Sequence, residues 1–276
     1  MMGIKGAVLS IIRATREKKI IPVEKPVSEQ KMLEGKVALI SGGSGGIGIS
    51  IAKELHACGC KVILGGTNAA KLEKCKEKFS DGGVESVIFN LSNTDSIVST
   101  IKEAEGKFGA IDIFVNSAGV HSENANFWTM TPAEYDRIMD INLKGVYFAC
   151  IEMAKYWKGN HRKGHILLIS SSRGSEPAWS PYGISKWGIN GMTKGLAEIL
   201  TPEGIIVNAI APGSTATPLL GIHEGDSIYS EDNKLGRMIV PDEIATYAKL
   251  LVSDAGDMLA GETIHISGGR GVWDIR

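Results

Sequence analysis

Short, unbroken apolar runs recur along the chain: Val37-Ala38-Leu39-Ile40, Val62-Ile63-Leu64, Ile166-Leu167-Leu168-Ile169 and Ile205-Ile206-Val207. Between them lie longer stretches whose apolar residues return every three or four positions. The runs predict strands and the stretches predict helices. Strands are expected at Lys36–Ile40, Lys61–Leu64, Ser86–Asn90, Ile111–Asn116, His165–Ser170, Ile205–Ile210 and Thr263–Ile266. Helices are expected at Gly46–Ala57, Asn68–Phe79, Thr94–Phe108, Pro132–Lys158, Pro181–Thr201 and Pro241–Ser253. Strands apolar at every position are buried on both faces, as in a parallel sheet covered by helices on its two sides. The expectation is therefore an α/β fold, with one doubly wound domain around a seven-stranded parallel sheet.

No internal repeat and no low-complexity linker interrupts this alternation, so residues 32–276 read as one domain. Residues 1–31 stand apart as a basic extension, with seven Lys or Arg against three Glu, a net of +4. Its apolar stretch Ala7–Ile12 is too short to span a bilayer. It reads as an arm packed on the body or as a weak surface contact with basic flanks. The whole chain has 276 residues, 43% hydrophobic and 22% charged, with a formal net charge of −1. Such a balance offers no global attraction to nucleic acid or to an anionic membrane. Its four cysteines, Cys58, Cys60, Cys75 and Cys150, fall inside predicted elements. They suggest reduced thiols and a cytoplasmic location. Cys58-Gly59-Cys60 lacks a second ligand pair, so no metal site is expected.

Two motifs carry chemistry. The first is Gly42-Gly43-Ser44-Gly45-Gly46-Ile47-Gly48, set between a predicted strand and a predicted helix. Glycines there allow backbone N–H groups to approach a pyrophosphate, and the positive end of the helix faces it. This is what a Rossmann-type dinucleotide site requires. The second is Tyr182-Gly183-Ile184-Ser185-Lys186, whose tyrosine and lysine share one face of a helix. The preceding strand ends in Ser170-Ser171-Ser172.

Serine at a strand end, with a Tyr/Lys pair on the next helix, resembles the short-chain dehydrogenase/reductase family. The likeness spans residues 34–270 and also rests on Asn116-Ser117-Ala118-Gly119, Asn142 within Ile141–Gly145, Asn208–Gly213 and Gly261–His265. It implies that Gly42, Ser44, Gly46, Ile47 and Gly48 form the pyrophosphate turn. It further implies that Asn90 and Leu91 touch the adenine, and that Asn116 and Gly119 pass the adenosine ribose. Pro212, Gly213, Thr215 and Thr217 would border the nicotinamide. The implied activity is NAD(P)-dependent interconversion of a ketone and a secondary alcohol, by a homotetramer whose long helices Pro132–Lys158 and Pro181–Thr201 pack across an interface. The C-terminal Gly268–Trp273 would then lie near a partner subunit.

The end of the second strand, Leu64-Gly65-Gly66-Thr67-Asn68, carries neither the acid expected near Gly66 for NAD nor the arginine often seen for NADP. Without a carboxylate nothing repels a 2′-phosphate. Thr67 and Asn68 offer hydrogen bonds and Lys71 a charge, which leans the reading to NADP.

Hydride transfer to a ketone demands a proton for the nascent alkoxide. Tyr182 is the expected acid/base, and an ammonium about 5 Å away favours its phenolate by roughly 3 kcal/mol. The resemblance assigns that ammonium to Lys186, the substrate oxygen to Ser171, and a water-holding helix kink to Asn142. Ser170 and Ser172 remain alternatives to Ser171. The short loop with Arg173, Glu176 and Trp179 borders the substrate entrance in this alignment, although Trp179 equally suits plain packing. The segment Pro218–Leu235 carries His223, Glu224, Asp226, Glu231 and Asp232, and suits a polar substrate as well as an apolar one. Lys155, Lys158, Arg162 and Lys163 form a basic patch that could meet an acidic carrier, which keeps a 3-oxoacyl-carrier reductase in view. A cofactor-binding regulator without turnover is the third reading.

Overall fold

The computed structural model describes residues 31–79, 82–122, 126–223, 225–231 and 233–269. Most of the N-terminal extension and the segment from Arg270 onward lie outside them, as do Glu224 and Asp232. Seven strands run β1 (Val37–Ser41), β2 (Lys61–Gly66), β3 (Val84–Ile88), β4 (Ile113–Asn116), β5 (Gly164–Ile169), β6 (Ile205–Pro212) and β7 (Thr263–Ile266). They form one sheet in the order β3-β2-β1-β4-β5-β6-β7, every pairing parallel. Helices α1 (Gly46–Ala57), α2 (Ala69–Lys76), α3 (Ile97–Phe108), α4 (Pro132–Met139), α5 (Gly145–Gly159), α6 (Pro181–Leu200) and α7 (Pro241–Leu251) cover it.

The unbroken apolar strands follow from two separate cores. Ala38 and Ile40 of β1 point into a core with Ile51, Leu55, Ile244 and Ala248 from α1 and α7. Val37 and Leu39 point the other way, among Ile97, Ala149, Met153 and Ile189 from α3, α5 and α6. Adjacent side chains on a strand leave opposite faces, so a sheet buried on both sides needs apolar residues at every position. The order reverses between β1 and β4, and their carboxyl ends open the crevice where such sheets take ligands.

Three differences from the expected elements bear on function. β3 lies two residues earlier than predicted, which leaves Phe89 and Asn90 beyond its end, with the Phe89 N–H still donating to the Gly66 carbonyl at 2.9 Å. The predicted helix over Pro132–Lys158 is broken by a π-turn at Asp140–Lys144. The extra residue in that turn swings Asn142 inward and buries it. The segment after β6 is less polar than expected, because Leu219, Leu220, Tyr229 and Leu235 are exposed.

Candidate active site

The glycine turn is shaped by contacts no side chain would tolerate. Gly42 has φ of +68°, and a Cβ there would lie 2.6 Å from the Ala118 nitrogen. A Cβ on Gly48 would strike the Gly42 carbonyl, and one on Gly46 would reach 2.7 Å from Thr217 Cγ2. The turn is thus wedged between the end of β4 and the segment after β6. Beneath it, Ser41 Oγ donates to Asn116 Oδ1 at 2.6 Å and ties β1 to β4. Gly45 caps α1 without a side-chain hydrogen bond, and Ile47 lines the groove above.

Toward the adenosine end, Thr67 is exposed and Asn68 Oδ1 accepts from the Lys71 N–H at 2.9 Å, capping α2. Asn68 therefore retains only its amide N–H groups for a ligand. A Cβ on Gly66 would sit in ordinary van der Waals contact, 3.4 Å from Leu72 Cδ2 and 3.6 Å from Ser44 Oγ. Asn90 Oδ1 accepts from the N–H and hydroxyl of Ser92 at 3.1 and 2.9 Å. The side chain of Leu91 is buried in the core against Gly145, so any adenine contact at that position falls to its backbone.

At the opposite end of the groove the three serines separate. Ser170 Oγ donates to Asn190 Oδ1 at 2.6 Å and joins β5 to α6. Ser172 is buried in a single 3-10 turn. Ser171 alone of the three is hydrogen-bonded to Tyr182. Both line a groove with Lys186, Gly119, Pro212, Gly213, Thr215 and Thr217. Ser180 Oγ accepts from the Gly183 N–H at 3.1 Å and starts α6, which fixes where Tyr182 and Lys186 project. Lys186 Nζ donates to the Ile169 carbonyl at 2.8 Å and stands 5.6 Å from the centre of the Tyr182 ring.

Burial pushes the Tyr182 phenol above its ordinary value, against a hydrogen bond with Ser171 and the positive charge of Arg173, which pull it down. Lys186 is itself brought down to about 8 by burial, and its ammonium donates to a main-chain carbonyl. Arg173 is thus a further cation beside the phenol, one that helical spacing does not reveal.

Asn142 does more than bend a helix. Its Oδ1 accepts from the Val120 N–H and its Nδ2 donates to the Val120 carbonyl, each at 2.8 Å. One residue on, the His121 carbonyl accepts from Arg137 of α4 at 2.8 Å. The backbone around His121 is thus held on both sides. Its imidazole stacks on the Tyr182 ring with centroids 3.7 Å apart and planes 24° from parallel. Burial, with the charges of Lys186 and Arg173, lowers that imidazole to about 4 and keeps it neutral near pH 7. Nothing in the local sequence pattern marks His121, because its importance comes from a ring contact across 61 positions.

A cleft of about 260 Å³ opens beside Tyr182, bounded by His121, Ser122, Arg173, Pro177, Ala178 and Trp179. Trp179 therefore faces the cleft and not the core. The basic patch before β5 is largely offset: Lys155 pairs with Glu152 at 2.7 Å, Lys158 with Glu203 at 2.6 Å and Arg162 with Asp112 at 2.8 Å.

A nucleotide groove and a Ser/Tyr/Lys cluster meeting at the sheet's carboxyl edge define an NAD(P)-dependent oxidoreductase of CH–OH groups. The family profile described as enoyl-(acyl carrier protein) reductase matches residues 42–270. The chain is 33% identical over 246 residues to a 3alpha-hydroxysteroid dehydrogenase of Mediterraneibacter gnavus, covering 86% of this chain and 97% of that one. A 3-ketoacyl-(acyl-carrier-protein) reductase from Brucella melitensis complexed with NADH superposes with a TM-score of 0.80 at 31% identity, covering 87% of this chain and 100% of the other. A gluconate 5-dehydrogenase from Burkholderia cenocepacia in complex with NADP and tartrate gives 0.78 at 30%, covering 87% and 97%. The chain belongs to the short-chain dehydrogenase/reductase family.

Proposed function

We propose that Tyr182 is the acid/base of a ketone/secondary-alcohol oxidoreductase, with Ser171 holding the reacting oxygen. The observation that carries this is the common groove: Ile47 of the glycine turn and the Ser171, Tyr182 and Lys186 cluster border one cavity. The residues suit a dinucleotide. A Cβ on Gly119 would project to within 3.6 Å of Lys186 Nζ and Asn142 Oδ1, so glycine there keeps the groove clear, and the glycine turn exposes the uncapped start of α1. Gly42, Ser44, Gly46, Ile47 and Gly48 would hold the pyrophosphate, Asn116 and Gly119 the ribose, and Thr215 and Thr217 the carboxamide beside Pro212 and Gly213. The bound nicotinamide supplies or accepts the hydride.

In reduction, the Ser171 hydroxyl donates to the carbonyl oxygen and polarises it. Tyr182, kept protonated by burial, gives its proton to the alkoxide as it forms. Lys186 and the main chain anchored by Asn142 position the ring and offer a route for proton return. In oxidation the phenolate takes the alcohol proton, aided by Arg173.

The cofactor reading is NADP, supported by the absence of a carboxylate at Gly66 and Thr67, which leaves nothing there to repel a 2′-phosphate. Wild-type enzyme is expected to show higher kcat/KM with NADPH than with NADH over a ketone panel. Gly66→Asp places a carboxylate beside Ser44 and is expected to cut the NADPH-to-NADH ratio at least about tenfold, the scale of one repulsive charge at a phosphate. A wild type that favours NADH overturns the cofactor reading alone.

The runner-up substrate is a 3-oxoacyl carrier, supported by the likeness to the Brucella reductase and opposed by the paired basic patch. We also place the enzyme in the cytoplasm, supported by four buried cysteines that form no disulfide; no helix among the described residues is long and apolar enough to cross a membrane. The body is taken as residues 32–276, since Leu33 is already fully buried. Tyr147, Phe148, Ile184 and Trp187 are exposed apolar residues on α5 and α6. They support assembly as a homotetramer through those helices, and light scattering at micromolar concentration is expected to give four chain masses.

A further inference from the structure

Trp179 lines the cleft, and Phe127 and Trp128 gather on its outer side, none of them part of either core. Phe127 is 63% exposed, Trp128 88% and Trp179 54%. Phe127 meets Trp179 edge to face, with ring centroids 6.3 Å apart and planes at 80°. Trp128 meets Phe127 the same way at 5.2 Å and 86°. These residues come from two segments about fifty positions apart, so their meeting is a property of the fold. Exposed aromatic clusters of this kind mark surfaces built to be covered.

The wall bearing Trp179 is rigid. Trp187 Nε1 donates to the Glu176 carbonyl at 2.7 Å, and Asn190 Nδ2 to the Gly174 carbonyl at 3.0 Å. Ala178 packs so closely on α6 that a Cβ at Gly183 would lie 2.9 Å from its methyl. The inner wall is His121, held through Val120 and Arg137 and stacked on Tyr182. Arg173 pairs with Glu176 at 3.0 Å, so the cation at the cleft already has a partner. Ser122 Oγ is buried without a hydrogen-bond partner among the described residues.

We propose that this cleft selects an uncharged, flat, ring-bearing ketone, its ring against Trp179 and Phe127 and its polar edge turned toward His121 and Ser122. The inference rests on the ketone-reductase reading above and adds the substrate class. The right-angled pair of rings offers one face and one edge to a planar guest, the arrangement aromatic rings favour. The neutral imidazole presents one donor and one acceptor nitrogen to a substituent on that ring. A volume of about 260 Å³ suits a molecule of one or two rings, at the small end of ligand pockets. The Arg173–Glu176 pair leaves little net charge to reward an acid.

The test compares 2-tetralone with the open-chain 2-decanone, of equal carbon count, at saturating reduced cofactor. The wild type is expected to favour the ring ketone at least about tenfold in kcat/KM. Trp179→Ala is expected to remove most of that preference through KM for the ring ketone, and Trp179→Phe to restore part of it. A wild-type ratio of one or below overturns the proposal, as does an unchanged ratio in Trp179→Ala. A change of assembled mass in Trp179→Ala with the ratio intact would assign the aromatics to an interface and overturn it equally. Reduction of neither ketone with either cofactor removes the reductase reading itself, and the inference with it.

Discussion

The nucleotide half and the substrate half of the crevice are built from different materials. Around the glycine turn the structure uses main chain: Gly42, Gly46 and Gly48 are pressed against backbone and a threonine methyl, with few side-chain polar groups and no charge beside Gly66. Around Tyr182 it uses side chains: Ser171, Lys186, Asn142, His121, Arg137 and Arg173 in one connected set. In the proposed function the first half would recognise what every dinucleotide shares, a pyrophosphate and a ribose. The second half would tell one carbonyl from another, a task for which side chains supply the variety.

This contrast breaks most sharply at Tyr182. Tyr182→Phe keeps the ring stacked on His121 but removes the proton, so kcat is expected to fall at least about a hundredfold. Cofactor affinity, followed by quenching of protein fluorescence, is expected to stay within about twofold. Near-normal turnover would refute the acid/base assignment. The mirror experiment is Gly48→Ala, where a methyl is driven into the Gly42 carbonyl. Overpacking of that kind costs about 1–3 kcal/mol, so KM for the cofactor is expected to rise about tenfold or more. If instead kcat falls with cofactor KM unchanged, the two halves are not separable.

A smaller effect sharpens the substrate half. Alcohol oxidation needs the phenolate, so its rate rises with pH until the phenol is ionised. The charge of Arg173 favours that ionisation, and Arg173→Gln removes the charge. The rising limb of the oxidation profile is then expected to move to higher pH. Movement to lower pH, or none, would show that Arg173 does not act on Tyr182.

The same division explains what was legible in the sequence. The strands, their parallel order and the glycine turn were readable because burial on two faces and tight backbone turns leave unbroken apolar runs and glycines. Tyr182 and Lys186 were readable because helical spacing places them on one face. The resemblance already favoured Ser171, and the structure adds that Ser170 is held by Asn190 while Ser171 lies beside the phenol. A kink at Asn142 was implied by the resemblance, but its form as a π-turn was hidden inside an apolar helical pattern, since one extra residue in a turn barely alters periodicity. His121, and the meeting of Phe127 with Trp179, were invisible because they depend on contacts across distant segments. The charge of Arg173 on the phenol was invisible for a related reason: it reaches Tyr182 from a separate loop, where helical spacing gives no guide.

The loop from Arg173 to Ser180 has a consequence for re-engineering this enzyme. Two of its anchors, Trp187 to the Glu176 carbonyl and Asn190 to the Gly174 carbonyl, grip main-chain atoms that every amino acid supplies. Mutation at Pro177 or Trp179 can therefore change the cleft while both moorings persist. Single replacements there would reshape the cleft and leave both anchors in place. A laboratory library confined to these positions would vary the cleft wall while sparing the scaffold.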